Sequence, residues 1–446
     1  MDCPIIDFVK KYAESNPHRL HMPGHKGANA IGVETLDITE IDGADCLFKA
    51  NGIIEKSRIN ASSLFGANTF YSTEGASLAI RAMLYLAIKH AKENGLNEKI
   101  VAGRNAHKSF LSACAVMNIE VDWLYANNCD SYLSCPITEH SFNEYLKSTK
   151  EPPCALYITS PDYLGNITKI EKLSKLCKEK DILLLVDNAH GAYTKFLENS
   201  LHPIDFGADM CTDSAHKTLP CLTGGAYLHI NKDEKLKDLC LCANDALALF
   251  GSTSPSYLIL QSLDYVNIYL ASVGKTEIKT AAEKTEVLKI KLQKAQYSLI
   301  GDEPLKITID AKAYGYTGFE LNEHLKSNGI ISEFYDQDYL VLMVSPKTTD
   351  EDYLALEKAL LSLKQKNTIT KKPPKLLPKK SVISFNNAIF SSSENVNVDN
   401  ALGRISSGIS VSCPPAVPIV VCGEVIDENA IENFKYYGIK KCNVIK

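Results

Sequence analysis

The chain carries 14 cysteines in 446 residues, yet it lacks any Cys-x-x-Cys pair. Only Cys240 and Cys242 stand close together, and structural zinc sites are normally built from paired ligands at tighter, repeated spacings. The cysteines fall inside apolar segments such as SACAVM and LSKLCKE. Buried, reduced thiols in a cytoplasmic protein are therefore expected, with no metal. A basic surplus is also missing: the formal net charge of −5 argues against a nucleic-acid binder. No apolar stretch reaches membrane-spanning length, and the opening MDCPIIDFVKKYAES has no apolar core of the kind a signal peptide needs. No internal repeat is present. What remains is the composition of a folded globular protein, 45% hydrophobic and 23% charged, with a length that suits a large domain and a smaller one.

From about residue 70 onward, helical and strand-like patterns alternate. STEGASLAIRAMLYLAIKHAKENG has small residues at its start, apolar spacings of three and four, and Gly95 as a stop, which predicts a helix. KIVAGR, IEVDWLY, CALYITS, ILLLVD, DMCTDS and AYLHI read as strands, most of them separated by helical stretches. Such alternation predicts an α/β fold with a mostly parallel central sheet and helices on both faces. ILLLVD is apolar throughout and then charged, as a doubly buried strand is when its carboxyl end opens into a site. The pattern from Pro255 to Ser298 is helical. LKITIDA, a helix near residues 317 to 328, and YLVLMVS then form a second, smaller α/β unit. KQKNTITKKPPKLLPKK reads as an exposed linker. The expected division is an N-terminal segment (1–60), a large cofactor-binding domain (61–298), a small α/β domain (299–365), a Lys/Pro-rich linker (366–380) and a less regular C-terminal segment (381–446).

Lys217 stands in CTDSAHKTLPCLTGGAYLHI, at the end of one strand and before the next. A lysine alone is weak evidence, since most are solvated. In a low-dielectric pocket, however, it loses its charge readily and can condense with an aldehyde. Asp187 ends its own strand thirty positions earlier. Two adjacent strand ends would present an amine and an acid to one ligand, the pair that pyridoxal phosphate requires for its aldehyde and its ring nitrogen. YSTEGAS adds hydroxyls, a glycine and N–H groups at a helix start, a cup for the phosphate. His107, in GRNAHKS, follows a predicted strand and is a candidate to stack on the ring.

DSAHKTLPCLTGGAYLHI resembles the cofactor-lysine segment of the bacterial ornithine/lysine/arginine decarboxylases. RLHMPGHKG, DITEIDGADCLFKANGIIEKS, FGANTFYSTEGAS, RNAHKS, SPDYLGNITKI, VDNAHGAY, STSPSYLILQSLD and GRISSGISVSCPPAVPIVVCGEVI are similar to further blocks of that family, in the same order. The resemblance spans nearly the whole chain, with the flavour of the shorter Gram-positive branch. It implies the pyridoxal-phosphate fold type I, that of aspartate aminotransferase. It also implies Lys217 as the Schiff-base lysine, Asp187 as partner of the ring nitrogen, and His107 stacked on the ring face opposite Ala189. Ser214 and His216 would touch the phosphate beside Thr73, Gly75 and Ala76, and His190 would lie near the ring hydroxyl. Thr253 and Ser254 would complete the phosphate site of a neighbouring subunit, so that a homodimer is the minimum active unit.

The reaction implied is decarboxylation of a basic amino acid to a polyamine or its precursor. Nothing in the sequence selects among arginine, lysine and ornithine. Glu424 is one candidate partner for the substrate's distal cation. An aminotransferase or aldolase reaction is the alternative, and an aminotransferase would need an arginine for the α-carboxylate; Arg404 is the only C-terminal one. A non-catalytic homologue is a third reading. The chain departs from the family pattern at four places: Pro220 and Gly224–Gly225 after the lysine, Glu74 in the phosphate cup, Ser412–Cys413 before the two prolines, and Ala416 in place of the glycine that follows them.

Overall fold

The computed structural model describes residues 1–126, 131–408 and 415–446; Ser412 and Cys413 lie outside the described residues. Contacts group the chain into two compact units, one of Met1–Leu96 with Cys177–Lys279 and the other of Asn97–Leu176 with Thr280–Lys446. Every cysteine among the described residues is a free thiol, and no described helix is long and apolar enough to cross a membrane.

The first unit is built on four strands in the order Asn68–Ser72, Ala226–Ile230, Met210–Asp213, Leu183–Asp187. The last two run parallel; the first two pairs are antiparallel. Helix Gly75–Asn94 packs on the strands Ala226–Ile230 and Met210–Asp213 and on helix Lys237–Phe250. Its buried face is rich in alanine (Ala76, Ala79, Ala82, Ala87, Ala91), which lets the helix lie close against the sheet. It ends at Gly95, as the sequence predicts, with φ of +65° and the glycine N–H turned back to Ala91 and Lys92 carbonyls. The helical reading of Pro255 to Ser298 resolves into Tyr257–Tyr269 and Lys275–Lys294, with strand Ser298–Ile300 at the far end instead of more helix.

The second unit holds three parallel strands in the order Ala155–Thr159, Ile100–Gly103, Val121–Leu124. It also holds an antiparallel sheet of four strands, in the order Phe334–Tyr335, Tyr339–Met343, Lys306–Asp310, Ser298–Ile300. Helices Gly318–Ser327 and Asp350–Leu361 each begin with a capping box, Thr317 with Glu320 and Thr349 with Asp352, which satisfies N–H groups that a helix start would otherwise leave open. Leu321, Leu325, Leu340, Leu356 and Leu360 close the core of this part around the stacked rings of Tyr297 and Tyr314.

All six strands read from the sequence are present. One that was not read, Asn68–Ser72, has the mixed sequence NTFYS with no apolar run or clean alternation. The C-terminal segment is more regular than expected: helices Phe385–Phe390 and Glu428–Tyr436, and a two-stranded sheet of Ser393–Asn397 with Lys441–Ile445.

Candidate active site

Strand Leu183–Asp187 is buried at every position and pairs in parallel with Met210–Asp213, Asp187 lying opposite Thr212. Asp187 thus ends one strand where its neighbour leads, five residues on, to Lys217. Asp187 is 2% exposed, and one carboxylate oxygen accepts the Ala189 N–H at 3.2 Å. Lys217 sits half-buried in the short helix Ala215–Thr218, with Nζ 2.8 Å from Nε2 of the buried His190. Ser214 is the buried residue before this helix, and its side chain makes no capping bond. His216 turns its backbone N–H and its Nδ1 to the same acceptor, the Gly225 carbonyl, at 3.2 and 3.0 Å. Burial pushes the His216 imidazole down from its usual range, against the pull of that carbonyl.

The helix start that was read as a phosphate cup lies in the same unit. Thr73 and Ala76 are buried, and Gly75 opens the helix at φ of +69°. Its N–H donates to the Gly224 carbonyl at 2.7 Å, while the Ser72 hydroxyl donates to the Gly75 carbonyl at 2.9 Å. The double glycine after Lys217 follows from this approach. Gly224 has φ of +101°, and a Cβ there would stand 2.8 Å from the Thr73 oxygen; a Cβ on Gly225 would stand 2.2 Å from the Cys221 sulfur. The departure from the family pattern is therefore a packing solution, with the loop after the lysine laid directly on the helix start. One N–H of the cup is already used by Gly224. Glu74 does not face the cup with a bare charge, because its Oε1 accepts the Ser252 N–H at 2.7 Å. Thr253 and Ser254 follow in that segment, and both are exposed.

His107 belongs to the second unit. It caps helix Lys108–Met117, with Nδ1 accepting the Ser109 N–H at 3.1 Å and lying 2.9 Å from the Ser109 hydroxyl. The turn that carries it is braced by the C-terminal segment. The Arg104 guanidinium donates to the carbonyls of Pro418 and Ile419 at 2.8 and 2.9 Å and to Glu424 Oε2 at 3.3 Å; the Lys108 N–H donates to the Ala416 carbonyl at 2.8 Å. Glu424, 1% exposed, also accepts the Val421 N–H at 2.8 Å. Glu424 is the buried counter-ion of Arg104. Arg404, the arginine an aminotransferase would have needed, donates to Glu394 at 2.7 Å and to the Ile445 carbonyl at 2.5 Å.

Asn188, His202, Asp213 and His229 form no motif of their own in the sequence, yet they make one buried, hydrogen-bonded group. Their only signal is a carboxylate at the end of one buried strand and a histidine inside the next.

A family model described as Orn/Lys/Arg decarboxylase, major domain, matches residues 3–300, and a second, Orn/Lys/Arg decarboxylase, C-terminal domain, matches residues 363–441. The arginine decarboxylase of Bacillus subtilis is 27% identical, over 98% of this chain and 93% of the relative. Among solved structures, the constitutive lysine decarboxylase of E. coli superposes with a TM-score of 0.80 at 16% identity, over 100% of this chain and 82% of its own. Lysine decarboxylase A of Pseudomonas aeruginosa gives 0.81 at 16% identity, over 99% of this chain and 80% of its own. At that identity the likeness establishes the fold.

Proposed function

The chain belongs to the Orn/Lys/Arg decarboxylase family, and from that premise we propose that it removes CO2 from a basic amino acid with pyridoxal 5'-phosphate held at Lys217. The observation that carries this reading is the parallel pairing of Asp187 with Thr212, which brings a buried carboxylate and the lysine segment to neighbouring strand ends. The donor set fits the cofactor. Lys217 offers an amine to its aldehyde and Asp187 an acid to its ring nitrogen. The helix start at Ala76, with Thr73 and Ser214, offers N–H and hydroxyl donors to its phosphate, while the Gly75 N–H stays on the Gly224 carbonyl and the His216 N–H on that of Gly225. The ring-flanking roles of His107 and Ala189 rest on the family resemblance alone.

When bound, the cofactor supplies an aldehyde that takes up the substrate amine and a ring that accepts the electron pair left by the departing carboxylate. The chain's own residues manage protons and charge. Lys217 and His190, 2.8 Å apart, can pass one proton between Nζ and Nε2, so the amine need not stay charged. Asp187, taken almost wholly out of water, favours a cation against its oxygens, and a protonated ring nitrogen answers that demand. We propose a homodimer in which the exposed Thr253 and Ser254 reach the partner subunit's phosphate site.

The test is a panel of arginine, lysine and ornithine, with CO2 and amine measured together. The reading expects one of the three to yield both in equal amounts. Keto acid without CO2 would make the protein an aminotransferase and overturn it.

A further inference from the structure

Asp213 is completely buried, and three side chains meet its carboxylate. Its Oδ2 lies 3.0 Å from Nε2 of His202 and 3.1 Å from Nε2 of His229, and its Oδ1 accepts the Asn188 side-chain N–H at 2.6 Å. His229 Nδ1 lies 2.9 Å from the Thr69 hydroxyl, which can donate to it. Both imidazoles then carry their proton on Nε2 and point it at one carboxylate. Burial would raise the Asp213 carboxyl, but the two imidazoles outweigh it and hold the group below the usual carboxylate range; His229 itself is pushed down by burial. A buried carboxylate receiving three N–H groups is a satisfied one, and such charge-assisted bonds are the stronger kind.

These contacts border the proposed site. Asn188 lies between Asp187 and His190 in the chain, and Asp213 stands four residues before Lys217. Beyond the strand ladder, the backbone links the two turns through the Asn188 N–H on the Thr212 carbonyl at 2.9 Å. The Asp213–Asn188 bond adds a second, charged link, and the two histidines anchor it to strand Ala226–Ile230 and to the turn that begins at Pro203. Resting on the reading of Lys217 as the cofactor lysine, we propose that Asp213 is a positioning residue. It locks the Asp187–His190 turn against the Ser214–Lys217 turn and so sets the approach of the lysine amine to His190 and Asp187.

His202, Cys211 and Asp213 are also close enough to hold a metal ion, their ligand atoms lying within 4.8 Å of one another. The three N–H donors already on Asp213 favour a hydrogen-bonded hub, and the test separates the two. Asp213→Asn and Asn188→Ala are compared with Val266→Ala, a core variant remote in sequence from the hub. Thermal stability, cofactor dissociation constant, the pH midpoint of the bound cofactor's visible band and zinc content are measured on each. Both hub variants should weaken cofactor binding by about tenfold and move the pH midpoint. Val266→Ala should lose stability and leave both readouts at their wild-type values. If Asp213→Asn does not fold, Asn188→Ala carries the comparison. Stability loss in the hub variants with wild-type affinity and pH midpoint would reduce Asp213 to a structural residue. Stoichiometric zinc would replace the hub by a metal site. A wild-type protein that takes up no cofactor would remove the underlying reading instead, a result distinct from either.

Discussion

Ala416 holds a conformation that an L-residue adopts at a cost. It is completely buried with φ of +56°, and its carbonyl accepts the Lys108 N–H next to His107. The family's glycine at this position suits that backbone; an alanine here is strained by about 1–2 kcal/mol, partly offset because alanine has less freedom to lose on folding. Ala416→Gly should therefore stabilise the protein by about 1 kcal/mol, read as a higher urea midpoint at an unchanged slope; a lower midpoint would show that the methyl group's packing outweighs the strain. Single residues differ sharply in how legible they are. Asp187 stands out in the sequence because it ends an apolar strand, and Lys217 because it follows the next strand within a run of small residues. Asp213 ends its strand and His229 lies inside the neighbouring one, and only the three-dimensional arrangement shows that each satisfies the other. Glu74 is the converse case: in sequence its charge is hostile to a phosphate, and in the structure its carboxylate accepts the Ser252 N–H.

Among elements, the C-terminal segment does its work through a buried ion pair. Arg104 and Glu424 are 3% and 1% exposed, and removing one partner leaves the other charge without its counter-ion. Glu424→Gln should lower stability by about 3 kcal/mol or more, measured by urea unfolding, and Arg104→Met with Glu424→Met should recover much of it. A raised KM with unchanged stability would instead return Glu424 to the substrate. The elements legible in the sequence are those with local signals: the long helix ending at Gly95, the apolar strands and the helices with capping residues. Strand Ser393–Asn397 was not legible because its partner, Lys441–Ile445, lies some fifty residues away and neither has an apolar run. Pairing of that kind is decided by tertiary packing rather than by local propensity.

Across the whole molecule, Gly75, Asp187, His190 and Lys217 come from two separated stretches of chain that meet in one compact unit. The order of motifs along the sequence announced that unit. Its support, from Gly224 against the helix start to Asp213 on Asn188, lies in the pairing of the strands and has no local signal. The central claim is that Lys217 carries the cofactor. It is tested most directly by borohydride reduction of the protein in the presence of pyridoxal phosphate, followed by digestion and mass spectrometry. The account predicts a reduced pyridoxyl group on the peptide that contains Lys217, and none in Lys217→Ala. An unlabelled Lys217 peptide in the wild type, or a label carried stoichiometrically by another lysine, would contradict it.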